Sequence, residues 1–260
     1  MSSSVRPIPF GSPGRELFAV AHVPAPQVPL RGGVLICPPF FHEQFLSYRL
    51  ISLVAARLAA QGWLCLRFDY FGSGDSAGDD DAFSLAGATA DTRTALALLR
   101  GLVADAPLLL LGVRAGVWPA LAATDADGVA RVCLWQPLSD GAAWLDQLGA
   151  MDAHERASRQ RYPHLRAPRA AVADRLLGSH VGAALRAELA AQRTVAPRIA
   201  FDVVGDGTLA DGATPPHRFD LPPALAGWET DLTIRNVFPG RELDGLVGTL
   251  VAAWSAGKGA

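Results

Sequence analysis

Short apolar runs bounded by turn residues alternate along this chain with longer stretches whose apolar positions recur every three or four residues. The runs GGVLICPP (32–39), WLCLRFD (63–69), PLLLLG (107–112) and VARVCLWQP (129–137) read as buried strands. RELFAVAHVP (15–24), RIAFDVVG (198–205) and DLTIRNVFPG (231–240) read as further strands. Between the first two buried runs, Leu50, Leu53, Val54 and Leu58 fall at helical spacing, with Ser47 as N-cap and Gly62 as the stop. Other helices are predicted at about 83–104, over VWPALAA after the GVRAG turn, at 139–150, at about 181–193 and at 242–256. Residues 1–14 read as a loose arm, GATPPHRFDLPPALAG as a Pro-rich loop, and 257–260 as a tail. Strands alternating with helices predict an α/β fold with a mainly parallel sheet and helices on both faces. One domain over 15–256 is expected, with 151–196 as a reduced cap or lid.

Composition narrows the function classes. Half of the 260 residues are apolar, enough for a sizeable core, and the formal charge is only −2. Lys258 is the only lysine; the remaining basic residues are arginines scattered along the chain, without the basic stripe of a nucleic-acid binder. No apolar run is long enough for a membrane span, and the N-terminus lacks a signal-peptide core, so a cytoplasmic location is expected. Cys37, Cys65 and Cys133 each sit inside an apolar run and read as buried reduced thiols rather than metal ligands. No cofactor and no metal site are expected, and the oligomeric state stays open.

In an open parallel sheet, ligands bind beyond the carboxyl ends of the strands. A G-x-S-x-G pattern after a strand would lift a nucleophilic serine above the sheet. Here the turn reads Gly112-Val113-Arg114-Ala115-Gly116: the structural glycines are present and arginine stands at the nucleophile position. A guanidinium stays protonated and cannot attack a carbonyl, but it pairs with carboxylates and phosphates. Placed near the positive end of a helix, Arg114 needs an anion: Glu43, Asp69, Asp206 or a ligand. The GSGDSAGDDD run (72–81) lacks the spacing of a calcium loop and reads as a tight structural turn.

The block CPPFFHEQFLSYRLISLVAARLAAQGWLCLRFDYFGSGDSAGDDD resembles the strand–loop–helix–strand–loop of α/β-hydrolase-fold proteins. It is similar to the hydrolase 2 type found with exosortase A systems and to relatives encoded near polyketide and peptide synthetases. In these the elbow commonly reads G-L-R-L-G, which GVRAG matches. VCLWQPLSDGAAWLDQL (132–148) resembles their L-W-x-P-V block, and LLGSHVGAALRAEL (176–189) a later segment. The resemblance implies an α/β-hydrolase fold and a role in exopolysaccharide or natural-product assembly.

The superfamily's catalytic histidine follows the last strand, where this chain has PGRELDG (239–245) and no histidine. Asp206 stands at the acid position with nothing to orient. Other routes to catalysis are a His42–Glu43 acid/base pair, a Cys37 thiolate, or His217 folding back over the site. Three readings follow. The first is a degenerate protein binding a small acyl or anionic ligand through Arg114, Phe40, Phe41, His42, Glu43 and Ala115. The second is an ester or thioester hydrolase using non-standard residues, and the third a non-catalytic interaction subunit with a collapsed pocket.

Overall fold

The computed structural model describes residues 3–158, 164, 167–225 and 240–256. Its strands are β1 (Ser4–Ser12), β2 (Arg15–Val23), β3 (Gly32–Cys37), β4 (Trp63–Asp69), β5 (Leu108–Val113), β6 (Val129–Trp135), β7 (Arg175–Leu176), β8 (Ser179–His180), β9 (Ala200–Val204) and β10 (His217–Phe219). The helices are α1 (His42–Ala60), α2 (Leu85–Val103), α3 (Val117–Ala122), α4 (Gly141–Ala157), α5 (Ala183–Ala190) and α6 (Gly240–Ala256). Among the described residues one sheet runs β1-β2-β4-β3-β5-β6-β9-β10, while β7 and β8 pair separately as a hairpin. From β4 to β10 neighbouring strands are parallel; β1 and β2 pair antiparallel at one edge.

Because β3 and β5 are covered on both faces, every residue in them is buried, which is why they read as continuous apolar runs. Successive strand side chains point to opposite faces. Leu35, Leu66, Leu108 and Leu110 belong to one core with apolar residues of α2, α3, α4 and α5, whereas Val34, Ile36, Leu109 and Leu111 belong to a second with residues of α1 and α6. Between β6 and β9 the chain forms α4, the β7–β8 hairpin and α5, of which Leu148, Leu176, Val181, Leu185 and Leu189 join the first of these cores.

Three expectations need correction. Residues 4–12 are a full edge strand rather than a loose arm, in register with β2 from Ser4↔Val23 to Ser12↔Arg15. Pro7 and Pro9 disguised it; on an edge strand a missing N–H is tolerated and blunts further pairing. Helix α1 starts at His42, not at Ser47, which lies inside it with its hydroxyl donating to the Gln44 carbonyl at 3.2 Å. Glu43 in the first turn suits the positive helix end, a signal that apolar spacing alone does not carry. The Pro-rich segment after 212 contains β10, parallel to β9. The strand predicted at 231–240 lies outside the described residues up to 239, as does the 257–260 tail.

Candidate functional site

The carboxyl ends of β3, β4, β5, β6 and β9 place residues 38–43, 70–76, 114–116, 136–141 and 205–208 along one rim. At its centre β5 turns sharply into a single 3-10 turn (Arg114–Gly116) and then α3. Arg114 sits at the apex with φ +53°, a left-handed conformation that costs a non-glycine residue roughly 1–2 kcal/mol. The turn is held close to the end of β3: a Cβ on Gly116 would collide with the carbonyl oxygens of Pro38 and Cys37. Gly112 is similarly crowded, by the backbone of Val117 at 2.7 Å. The two elbow glycines are therefore required by close packing.

The Arg114 side chain does not extend into solvent. It is 5% exposed, and its Nη2 donates to Glu43 Oε1 at 3.1 Å. The same Glu43 oxygen accepts from Trp144 Nε1 at 3.1 Å, and Glu43 itself is 1% exposed. Of the three carboxylates proposed as partners, Glu43 is thus the one that meets the guanidinium. Asp69 points elsewhere: its Oδ1 accepts from Gln44 Nε2 at 2.8 Å and its Oδ2 from the Asp75 amide at 3.0 Å. Burial pushes the Asp69 carboxyl above its ordinary range, against these two hydrogen bonds. Gly74, at φ +56°, lies so close to that carboxylate that a Cβ would overlap it. With Ser76 bonded to the Phe18 amide and the Asp69 carbonyl, the 72–81 run is a structural turn. Asp206 is exposed on the rim.

Two cavities flank this arrangement and divide the sequence-predicted residues between them. A polar cavity of about 280 Å³ is lined by Arg114, Gln136, Trp144, Gln147, Asp206 and Thr208, among others. An aromatic cavity of about 410 Å³ is lined by Phe40, Phe41, His42, Tyr70 and Phe83, and is bounded by the β7–β8 hairpin through Leu177 and Ser179. Glu43 joins the two: it binds Arg114 and Trp144 of the first, and Trp144 stacks on Phe41 of the second at 6.0 Å and 12°. Cys37, Glu43 and Ala115 line neither cavity.

His42 lies in a helix rather than a loop. It opens α1, is 8% exposed, and both ring nitrogens are buried with no hydrogen-bond partner among the described residues. Burial lowers its pKa, with Arg114 adding to the effect and Glu43 opposing it. The alternative His42–Glu43 pair does not form, because the Glu43 carboxylate turns to Arg114 and Trp144. Cys37 is fully buried, and desolvation pushes its thiol up to about 12, away from the range of a thiolate nucleophile. His217 stands away from the elbow, on β10, with Nδ1 3.1 Å from Asp202 Oδ1. Sequence reasoning missed Trp144 as the second donor to Glu43. Its position one turn into α4, on the rim side of β6, was the available signal. Among the described residues no group of three or more His, Cys, Asp or Glu side chains could hold a metal ion. No described helix is long and apolar enough to cross a membrane.

No family model matches the chain, and no curated protein does. Solved structures do. An α/β serine hydrolase without lid from Xanthomonas campestris is 16% identical with a TM-score of 0.58, covering 98% of this chain and 95% of its own. A hypothetical protein from Pseudomonas aeruginosa is also 16% identical, with a TM-score of 0.59 and coverage of 95% and 94%. The thioesterase domain from the curacin biosynthetic pathway is 17% identical, with a TM-score of 0.53 and coverage of 94% and 99%. With the strand order above, these likenesses make the architecture an α/β-hydrolase fold.

Proposed function

We propose that this chain is a member of the α/β-hydrolase superfamily that binds a small acyl ligand at the rim of the sheet without turning it over. The observation that carries this reading is Arg114 at the strained apex of the elbow, buried and paired with Glu43. A permanently protonated guanidinium supplies no lone pair for attack on a carbonyl. The stretch at 239–245 offers no histidine base, and the Cys37 thiol is too basic to serve instead. Hydrolysis through Cys37 or a His42–Glu43 pair accordingly loses its support.

Of the acyl and anionic ligands considered, the geometry favours the acyl one. The charge that would attract an anion is already met by Glu43, whereas the larger cavity has aromatic walls. Two open cavities also weigh against an interaction subunit with a collapsed pocket. On the sequence resemblance, the setting is exopolysaccharide or natural-product assembly.

The test combines turnover and binding. Chromogenic acyl esters and acyl thioesters are expected to be hydrolysed at the buffer rate, while acyl compounds of the same chains raise the unfolding temperature in a saturable way. Turnover that scales with protein and vanishes in Arg114→Ala or His42→Ala would overturn the reading.

A further inference from the structure

We infer that the polar cavity beside the elbow takes an uncharged, polyhydroxylated ring, a sugar or cyclic polyol. Such a site is additional to the acyl ligand proposed above and does not depend on it.

The walls are loops that are themselves held in place. The cavity, of about 280 Å³, lies among the loop after β6, the first turns of α4 and the loop after β9, with room for a single small ring. Arg218 Nη1 donates to the carbonyls of Gly205 and Gly207 at 2.6 and 3.0 Å, clamping the turn that carries Asp206 and Thr208. Gly207 packs so closely on Pro137 that a Cβ would overlap the proline ring, which ties this turn to the β6 loop. Asp140 caps α4 by accepting from the Ala142 and Ala143 amides at 2.8 and 3.1 Å, and it meets Arg193 Nη2 at 3.3 Å. Arg114 and Gln136, both buried in the lining, have left-handed φ angles of +53° and +44°. Backbone strain of this kind persists where the surrounding structure enforces it, and it gathers at ligand sites.

The polar groups set the class of ligand. Ser139, Gln147, Asp206 and Thr208 come from three segments to one concavity, and none of these side chains hydrogen-bonds to another described residue. Polar side chains scattered over a surface are solvated one by one; converging, they present several bonds to one ligand. Their chemistry is mixed: two hydroxyls and an amide that donate and accept, and a carboxylate that only accepts. A ring with several hydroxyls matches this set, because each hydroxyl also donates and accepts. Pro137, Leu138 and Trp144 line the remainder and suit the C–H faces of such a ring. Charge weighs against an ionic ligand of either sign. The Arg114 guanidinium is engaged by Glu43 and the Asp140 carboxylate by Arg193, which leaves Asp206 to repel an anion. A cation drawn to Asp206 would meet Arg114 in the same cavity, and Asp206 is exposed, so water screens its pull.

Saturation-transfer NMR titration of the full chain with the methyl α-D-pyranosides of glucose, galactose and mannose tests this. Each is paired with its uronate and its 2-amino-2-deoxy counterpart, and 2-methoxytetrahydropyran serves as the ring without hydroxyls. At least one neutral glycoside is expected to bind saturably, roughly threefold or more tightly than both of its charged counterparts, and the hydroxyl-free ring is expected not to bind. Ala143→Trp, at an exposed position of α4 in the lining, fills the cavity and should abolish binding. Gln147→Ala or Thr208→Val, also at exposed positions, should weaken it about three- to tenfold, the worth of one neutral hydrogen bond, at a parental unfolding temperature. Failure of all three neutral glycosides to bind, a smaller or reversed preference over the charged counterparts, or binding of the hydroxyl-free ring would each overturn the inference. So would binding that survives Ala143→Trp, or that neither Gln147→Ala nor Thr208→Val weakens. None of these results bears on the acyl ligand; ester turnover or failure of acyl compounds to bind would overturn the proposed function and leave the polyol site standing.

Discussion

Replacing Arg114 with serine recreates the G-x-S-x-G elbow and exposes the energetics of the site. The substitution removes a guanidinium 3.1 Å from Glu43 and leaves that carboxylate, 1% exposed, with Trp144 as its hydrogen-bond donor among the described residues. Breaking a buried ion pair by deleting one partner costs about 3–5 kcal/mol. Against this, removing a cation from the positive end of a helix returns only about 0.3–1 kcal/mol. The left-handed φ of +53° is as unfavourable for serine as for arginine and cancels. The loss dominates, and Tm should fall by roughly 4–19 °C for a chain of this size. Glu43→Gln should cost less, because Arg114 lines a polar cavity of about 280 Å³ where water can reach it. The double variant Arg114→Ser/Glu43→Gln should recover most of the loss, giving a coupling of about 2 kcal/mol or more in urea unfolding. No variant should show an acyl burst, since the hydroxyl still lacks a base. Parental stability in Arg114→Ser, or additive single effects, would refute the assignment of a buried coupled pair.

Acid should destabilise the fold through His22, whose ring is buried and beside Arg67, lowering its pKa to about 4. The folded form resists protonation that the unfolded chain accepts at about 6.5, so stability is complete above that pH and falls on acidification toward 4. The loss is on the order of 2–3 kcal/mol, and urea unfolding of His22→Gln should show a shallower pH slope. Cys37, with its thiol pushed up to about 12 by burial, should resist iodoacetamide at pH 8 until the chain is unfolded; stoichiometric native labelling at Cys37 on peptide mapping would contradict this. Gly116→Ala should destabilise by about 1–3 kcal/mol or more in urea unfolding, because the new methyl meets the Pro38 and Cys37 carbonyls.

What the sequence made legible is what periodicity encodes. β3, β5 and the parallel core were readable because strands buried on both faces leave uninterrupted apolar runs. The elbow was readable because two close approaches demand glycine at fixed spacing, and Arg114's need for an anion followed from its charge. Which anion was not readable: Asp69 ends β4 and Glu43 opens α1 on the same rim, and only tertiary packing decides that Asp69 binds the 72–81 turn while Glu43 reaches Arg114. The edge strand β1 escaped because its prolines mimic a linker. The start of α1 was misplaced at Ser47 because the true N-cap, Phe41, makes no side-chain capping bond and so leaves no capping residue to read.

With a buried Arg114–Glu43 pair in place of a nucleophile, the elbow should form no covalent acyl or phosphonyl intermediate. Intact-mass spectrometry of the full chain after incubation with a fluorophosphonate probe, followed by peptide mapping, tests it directly. An unmodified mass is expected, with no adduct on any residue between 37 and 43 or between 112 and 116. A stoichiometric adduct mapping to either rim segment would contradict it.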